Sequence, residues 1–259
     1  MKNSKRRKHS EKQQKPAETA SHHTPRDRLW LYGNHAVEAA LANPKRKKHR
    51  FVVTPSHNDL HLEGLDTEVL DRQDLDRLLP PGAVHQGMAV LVSPLPEADI
   101  SEVIDNAGEN SIVVILDQAT DPQNIGAVLR SAAAFGADAV VVPDRHTPEA
   151  TAVLAKAASG ALDRVPFIRV TNLARTMKEL KDTGYWCAGL VADGDRNLAE
   201  ANLTGKTVLA LGAEGTGLRR LTRETCDFLV RIPINDEMDS LNLSAAAAIT
   251  LYELKRTTV

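Results

Sequence analysis

The chain has 259 residues, of which 42% are hydrophobic, 3% are aromatic and two are cysteines, and its formal net charge is −2. This length allows one large or two small domains with a packed core, and the few aromatic residues favour a β/α domain over an aromatic-rich β-sandwich. Two cysteines are too few for a disulfide framework or a zinc cluster, and no apolar run suits a membrane span or a signal peptide, so we expect a soluble, cytoplasmic protein in a reduced compartment.

Residues 1–27 are polar and basic, and we expect them to form a disordered tail. From Met1 to Arg28, nine lysines and arginines stand against three acidic residues. A second basic run lies at residues 45–50. Such runs bind polyanions such as nucleic acids through counterion release, but they are as often simply solvated surface, and both interpretations stay open.

Residues 28–94 are expected to form a small α/β unit. Order begins at Leu29–Gly33, and Asn34 is the predicted N-cap of a helix with apolar residues at helical spacing. The other predicted elements are a strand at 51–53, a helix at 71–79 and a strand at 88–92. Residues 93–98 contain two prolines, which interrupt regular structure. We therefore expect residues 95–110 to act as a linker.

From residue 111 to residue 259, apolar strand patterns alternate with helical ones. This alternation predicts a parallel sheet with helices on both faces, a three-layer α/β fold. Strands are predicted at 112–116, 139–142, 167–170, 186–190, 208–211 and 229–232, and helices at 122–135, 149–158, 173–181, 221–226 and 241–255. Asp121 is the expected N-cap of the first of these helices and Ser240 that of the last.

Three loops rich in glycine and asparagine follow apolar runs in this region and precede predicted helices. They lie at residues 116–130, 209–217 and 232–244. Ligands bind to α/β sheets at the carboxyl ends of the strands. The three loops therefore predict one composite site.

The first loop places Asn124 and Arg130 on one helix. Side chains on a helix lean toward its N-terminus, and Gly126 has no side chain to obstruct Arg130 on its way toward Asn124. The alternative is that Gly126 allows close packing between helices and Arg130 is a surface charge.

The second loop, Gly212–Gly217, has the glycine pattern of a phosphate-binding loop but lacks the ending of a P-loop. Glu214 would repel a phosphate and suits a cationic ligand, although a tight turn with an exposed glutamate is the alternative. In the third loop, Asn242 and Ser244 lie just inside a predicted helix, where polar side chains are unfavourable unless engaged. The small residues at 245–248 permit close approach of another helix or subunit.

Together, these motifs resemble the SpoU-type (TrmH-like) RNA 2'-O-ribose methyltransferases of the SPOUT superfamily. The resemblance rests on Asn124-x-Gly126-x-x-x-Arg130, Gly212-Ala-Glu-Gly-Thr-Gly217 and Ser240-Leu-Asn-Leu-Ser244, in the order and spacing of that family, and it covers residues 111–259. Residues 28–94 are similar to the substrate-binding domain of many members, which has a ribosomal-protein L30e fold. The segments Leu31–His35 and His85–Gly87 carry that second likeness.

The resemblance implies a C-terminal α/β trefoil knot, an obligate homodimer and S-adenosyl-L-methionine as the cofactor. The implied cofactor-binding residues are Leu211, Gly212, Gly217, Ile232 and Leu241. The implied substrate is RNA, most closely a guanosine of 23S rRNA, free or in a ribosomal precursor, with tRNA as the alternative. The sequence itself indicates no metal site, because its nine histidines are scattered.

The implied catalytic residues are Asn124, Arg130, Glu214, Ser240 and Asn242. The arginine of the family is described as a general base, but a guanidinium stays protonated and has no acceptor atom. We therefore expect Arg130 to bind an RNA phosphate and to stabilise the developing alkoxide. Asn124, Ser240 and Asn242 would orient the ribose hydroxyl and the arginine, and Glu214 would orient the loop or the arginine through a charge-assisted hydrogen bond.

Two other classes of protein compete with this interpretation. A non-catalytic RNA-binding or ribosome-assembly factor would have no need to keep the five polar residues of the site. A nucleotide-binding oxidoreductase would need an early G-x-G-x-x-G after its first strand, and the sequence has none.

Overall fold

The computed structural model describes residues 28–60, 64–65, 67–235 and 237–257. The predicted tail at residues 1–27 lies outside them. The N-terminal part contains a four-stranded sheet in the order β1-β4-β2-β3, with β1 (Leu29–Tyr32), β2 (Lys48–Val53), β3 (Thr67–Val69) and β4 (Met88–Val92). β4 is antiparallel to both of its neighbours, and β3 is parallel to β2. β3 has only three residues and was not predicted from the sequence.

Two helices flank this sheet, α1 (Asn34–Ala42) and α2 (Arg72–Leu78). The prediction that Asn34 caps α1 is wrong, because Gly33, with φ 81°, occupies the N-cap position and Asn34 is already helical. The backbone N–H of Asn34 donates instead to Oε1 of Gln86, at 3.2 Å. The free N–H group at this helix start is thus satisfied by a residue distant in sequence, which local capping rules do not include.

The predicted linker contains a helix that the sequence analysis did not find, α3 (Ile100–Asp105), capped by the side chain of Asp99. Ile100 and Val103 are buried with residues of the C-terminal sheet. Residues 93–98, where the prolines lie, have no regular structure, as predicted. Much of the segment from 95 to 110 is therefore packed on the second domain.

The C-terminal part is built on a seven-stranded sheet in the order β7-β6-β5-β10-β8-β11-β9. All six strand pairings are parallel, as the alternating pattern predicted. The strands are β5 (Ile112–Asp117), β6 (Ala139–Pro143), β7 (Phe167–Val170), β8 (Trp186–Leu190), β9 (Arg196–Asn197), β10 (Thr207–Gly212) and β11 (Phe228–Arg231). Only the two-residue edge strand β9 was not predicted.

Helices cover both faces of this sheet, which confirms the predicted three-layer α/β fold. They are α4 (Pro122–Phe135), α5 (Ala152–Ala158), α6 (Leu173–Asp182), α7 (Arg220–Thr225) and α8 (Leu243–Thr257). Successive residues of β5 alternate between the faces: Val114 packs with α4, α5 and α8, and Val113 packs with α3 and α6. No helix in the described ranges is long and apolar enough to cross a bilayer.

Two predicted helix starts are displaced in the structure. α5 begins at Ala152, after the cap Thr151, and not at residue 149. α8 begins at Leu243, so the prediction that Ser240 caps it is wrong. Asn242 performs this function: its Oδ1 accepts from the backbone N–H groups of Ser244 and Ala245, at 2.9 and 3.3 Å.

A buried ion pair joins the two domains. Nε and Nη2 of Arg46 donate to the two carboxylate oxygens of Asp163, at 2.8 and 2.9 Å, and Nη1 donates to the carbonyl of Ser93, at 3.1 Å. Both charged side chains are only 2% exposed. Nδ2 of Asn43 adds a bond to the Asp163 carbonyl at 3.2 Å. The domains also share one hydrophobic cluster, so they pack as a single body.

The basic run at residues 45–50 is therefore mostly structural. Arg46 is committed to Asp163, Arg50 pairs with Glu68 at 2.7 Å, and Nζ of Lys48 donates to a backbone carbonyl. The sequence left two interpretations open for this run, solvated surface and polyanion binding. Neither describes Arg46, whose side chain is buried in its ion pair with Asp163.

Candidate active site

The three loops meet at one edge of the parallel sheet, as predicted. β5 and β10 lie side by side, with Gly212 opposite Asp117 at their carboxyl ends. The helix α4 starts directly after the first strand, and the turn at Gly212–Gly217 follows the second. The third loop reaches the same edge because it leads from β11 into α8. Asn124, Glu214 and Asn242 are brought together here.

Glu214 holds this cluster through one carboxylate oxygen. Its Oε1 accepts hydrogen bonds from Nδ2 of Asn124 at 3.1 Å, from Nδ2 of Asn242 at 2.9 Å and from the backbone N–H of Leu243 at 3.1 Å. Nδ2 of Asn242 also donates to Oδ1 of Asn124, at 3.0 Å. A carboxylate is an acceptor only, so it suits a position where three N–H groups converge. Glu214 thereby connects all three predicted loops.

The turn at Gly212–Gly217 is tight and closed on itself. The N–H of Gly217 donates to the carbonyl of Ala213, at 2.9 Å. A Cβ atom at Gly212 would collide with the backbone of Gly217, whose own φ is 67°. The absence of a side chain at Gly212 therefore serves closure of the turn. The alternative of a tight turn is therefore correct for the backbone. It does not account for Glu214, whose carboxylate accepts hydrogen bonds from the other two loops.

Gly126 does not open a path for Arg130. A Cβ atom at Gly126 would lie 2.5 Å from the carbonyl oxygen of Leu154 and 2.6 Å from Cβ of Ala157, so α5 fills this space. The alternative, close packing between helices, is correct. Arg130 is exposed and forms no hydrogen bond or ion pair with the described part of the chain. It is a free cation six residues beyond Asn124 on α4.

The remaining predicted site residues lie outside the hydrogen-bonded cluster around Glu214. Ser240 is exposed and has no hydrogen-bond partner within the ranges that the structure describes. Ile232 and Leu241 are half-buried and pack against the rim of the main core. The side chain of Leu211 is buried, which leaves only its backbone for a ligand.

Two residues of the site edge were missed by the sequence analysis. Asp117, at the end of β5, is fully buried, and its Oδ2 accepts from the backbone N–H of Arg219 at 2.9 Å. Its Oδ1 accepts from Nε of the same arginine at 2.6 Å. Because Arg219 is the N-cap position of α7 and follows the turn closely, Asp117 fixes the exit of that turn to the neighbouring strand. The sequence signal that could have identified Asp117 is an aspartate at the end of an apolar strand.

The thiols offer no nucleophile at neutral pH. Burial raises the pKa of Cys187 and that of Cys226 to about 12. Across the residues that the structure describes, no three His, Cys, Asp or Glu side chains are grouped so that they could hold a metal ion.

Replacing Asp117 with asparagine is expected to lower the free energy of unfolding by about 1.5–3 kcal/mol, the range for a hydrogen bond to a charged group. The amide cannot accept at both oxygen positions, so one N–H of Arg219 loses its buried partner. Urea unfolding monitored by circular dichroism measures the change.

Asp144→Asn is the matched control for Asp117→Asn, because Asp144 is exposed and its ion pair with Arg169, at 3.4 Å, belongs to the surface. We expect a loss of less than about 1 kcal/mol for this control. Equal losses in the two variants would contradict the structural importance assigned to Asp117.

The fold and this cluster define a two-domain α/β protein of the class that binds its ligands at the carboxyl edge of a parallel sheet. Residues 111–252 match the SpoU rRNA methylase family, and residues 30–98 match the RNA 2'-O ribose methyltransferase substrate-binding family. The chain belongs to the SpoU rRNA methylase family, which confirms the resemblance drawn from its motifs.

Curated relatives and solved structures agree with this membership. The 23S rRNA (guanosine-2'-O-)-methyltransferase RlmB of Vibrio vulnificus CMCP6 is 40% identical over 88% of this chain and 96% of its own. The enzyme of the same name from Escherichia coli K12 is 41% identical over 87% and 97%. The SpoU methyltransferase AviRb from Streptomyces viridochromogenes, solved with AdoMet, has the same fold, with a TM-score of 0.76 and 24% identity over 90% of this chain and 91% of that one.

Proposed function

We propose that this protein transfers a methyl group from S-adenosyl-L-methionine to the 2'-hydroxyl of a guanosine in 23S rRNA. The observation that carries this proposal is the meeting of the three motif loops on Oε1 of Glu214. The names of the curated relatives, which cover nearly the whole of this chain, give the substrate and the reaction. Residues 28–94 then bind the RNA and residues 111–259 carry out the transfer, with the segment from 95 to 110 between them.

The residues at the sheet edge fit S-adenosyl-L-methionine. Ile232 and Leu241 offer apolar surface at the rim of the core, where an adenine ring is stabilised by burial. The carboxylate of Glu214 accepts a hydrogen bond from Asn242, the residue that follows Leu241, and its negative charge complements a sulfonium. Backbone groups of Leu211, Gly212 and Gly217 complete the proposed set. The cofactor supplies a methyl group that its sulfonium has already activated.

The described side chains have separate tasks in this proposal. Asn124 and Asn242 are held in place by Glu214, and they orient the ribose hydroxyl together with Ser240. Arg130 has no partner in the described chain, so its guanidinium is available for an RNA phosphate and for the developing alkoxide. Alignment of the reacting groups supplies about 7–11 kcal/mol in favourable cases.

We also propose a homodimer with a trefoil knot at its C-terminus. The knot is the one that the motif resemblance implies, and it would involve the third loop, which is bonded to the turn at Gly212–Gly217 because the backbone N–H of Leu243 donates to Glu214. α8 exposes Ile249 and Tyr252, which are 42% and 56% exposed, and although the Tyr252 ring packs edge-on against Phe135, this leaves apolar surface for a second copy of the chain. Sedimentation equilibrium tests the dimer: Tyr252→Glu is expected to raise the dissociation constant, and a monomeric parent protein would contradict it. We propose a cytoplasmic location as well, in keeping with the proposed rRNA substrate.

Transfer of labelled methyl groups to purified 23S rRNA and tRNA, followed by nucleoside analysis, tests the proposed function. We expect label in 2'-O-methylguanosine from 23S rRNA. Label in tRNA alone would keep the reaction and contradict the substrate. No label in either RNA or in precursor ribosomal particles would contradict the reaction and favour a binding factor.

A further inference from the structure

Lys156 lies between the two domains and has no acidic partner in the part of the chain that the structure describes. It belongs to α5 of the methyltransferase domain, but its Nζ donates to Oε1 of Gln86, at 3.3 Å, in the N-terminal domain. Its ammonium lies 5.9 Å from the ring centre of Tyr32. Burial lowers the pKa of this ammonium, because partial removal from water disfavours the charged form. The ammonium of Lys156 is thus half-buried and bonded to a neutral amide, and no anion neutralises its charge within the described chain.

Two residues of the N-terminal domain, Gly33 and Gln86, lie close to the ammonium of Lys156. A Cβ atom at Gly33 would collide with Nζ of Lys156, so only glycine allows this approach. Gln86 adopts a left-handed conformation with φ 56°, which is uncommon for a residue with a side chain. In that conformation its Oε1 accepts from both Lys156 and the backbone N–H of Asn34. Strain of this kind persists where the surroundings hold it, often at ligand sites.

Two further features point to a ligand at this junction. Oδ1 of Asn34 is buried and has no hydrogen-bond partner within the described chain, an arrangement that costs free energy unless a donor arrives. Val84 and Val153 are 65% and 42% exposed, and each adjoins an alanine that packs on the cluster around Trp30 and Tyr32. Exposed apolar surface beside an unneutralised cation suits the sugar and phosphate of a nucleic acid better than a free anion.

We propose that Lys156, Gln86 and Asn34 form an RNA-binding site that both domains build together, which we call the junction site. Lys156 binds a backbone phosphate, and the amides of Gln86 and Asn34 bind the hydroxyl groups of the adjoining ribose. The site extends the substrate contact from the N-terminal domain onto α5, which packs directly on α4 at Gly126. It thereby fixes the RNA relative to the helix that carries Asn124 and Arg130. This inference rests on the proposed function for its ligand class.

The test is binding of in vitro transcribed 23S rRNA to the full chain at several salt concentrations. Lys156→Met is expected to weaken binding about tenfold and to reduce the slope of log K against log salt by about 0.7–0.9, the value of one lost phosphate contact. Lys156→Arg keeps the charge and is expected to keep both quantities near the parent values. Lys178→Met is the matched control, since Lys178 is an exposed lysine on α6, away from the junction. Unchanged affinity and slope in Lys156→Met would overturn the site.

A measurement on the parent protein covers the case in which Lys156→Met does not fold. Acylation of Lys156 by an N-hydroxysuccinimide ester, followed by peptide mass spectrometry, is expected to fall when 23S rRNA is bound. Equal acylation with and without bound RNA would overturn the site, and so would a parent protein that binds no 23S rRNA. Parent protein that binds the RNA but transfers no methyl group would contradict the proposed function and leave the junction site intact.

Discussion

Arg130→Ala is expected to lower the rate of methyl transfer by about 10²–10³-fold, the range for removing one donor that stabilises a developing oxyanion. Arg130 is exposed and bonded to nothing in the described chain, so its removal breaks no native contact. Folding and binding of S-adenosyl-L-methionine are therefore expected to remain close to those of the parent protein. Single-turnover rates at saturating RNA and calorimetric titration with the cofactor separate these effects.

Arg175→Ala is the control for Arg130→Ala. Arg175 is also an exposed helical arginine, but it lies on α6, on the opposite face of the sheet. Its removal is expected to leave the transfer rate unchanged. An Arg130→Ala protein with near-parent turnover would overturn the assignment of Arg130. Arg130→Lys separates charge from shape, because lysine keeps the charge but loses the planar guanidinium that binds phosphate through two parallel hydrogen bonds.

Arg46→Met is expected to lower the free energy of unfolding by about 3–5 kcal/mol, the usual loss when one partner of a buried ion pair is removed. Both side chains of the pair are 2% exposed, so Asp163 would keep a buried charge without a counter-ion. The bond to the Ser93 carbonyl is lost as well. Urea unfolding measures the change, at one fixed protein concentration because the stability of the proposed dimer would depend on concentration.

Arg220→Met provides the surface control for Arg46→Met. Arg220 pairs with Glu224 in an exposed ion pair on α7, at 2.9 Å, and such pairs contribute less than about 1 kcal/mol. The double variant Arg46→Met/Asp163→Asn is expected to recover part of the loss, because it removes the unpaired charge. A loss of under 1 kcal/mol for Arg46→Met alone would contradict the importance of this contact for joining the domains.

The elements predicted from local patterns were largely correct. The helix at Pro122–Phe135 was predicted to the residue, because Asp121, Pro122 and the left-handed Gly136 mark its ends within a few positions in sequence. The parallel sheet followed from the alternation of apolar runs with helices. Since parallel strands place their carboxyl ends at one edge, the meeting of the three loops was also predictable. The short strands β3 and β9 carried too little pattern to be found.

Three of the errors share a physical cause, which is a partner far away along the chain. Asn34 was taken for a cap because its real partner, Gln86, lies 52 positions further on. Arg46 was grouped with a basic run because its real partner, Asp163, lies 117 positions further along the chain. Gly126 was interpreted as open space for Arg130, because the residues near it in sequence do not show that α5 packs there. Local sequence cannot reveal which distant group fills a space or neutralises a charge.

The sequence by itself determined the order of the elements, the family and the residues that gather at the sheet edge, because these depend on periodicity and on short motifs. Only the tertiary structure decided that Glu214 holds Asn124 and Asn242. It also decided that α5 packs against Gly126, and that neither Arg130 nor Lys156 has a carboxylate partner among the described residues. Hydrogen bonds and ion pairs act over a few ångströms. Which groups come within that distance is set by how the elements pack.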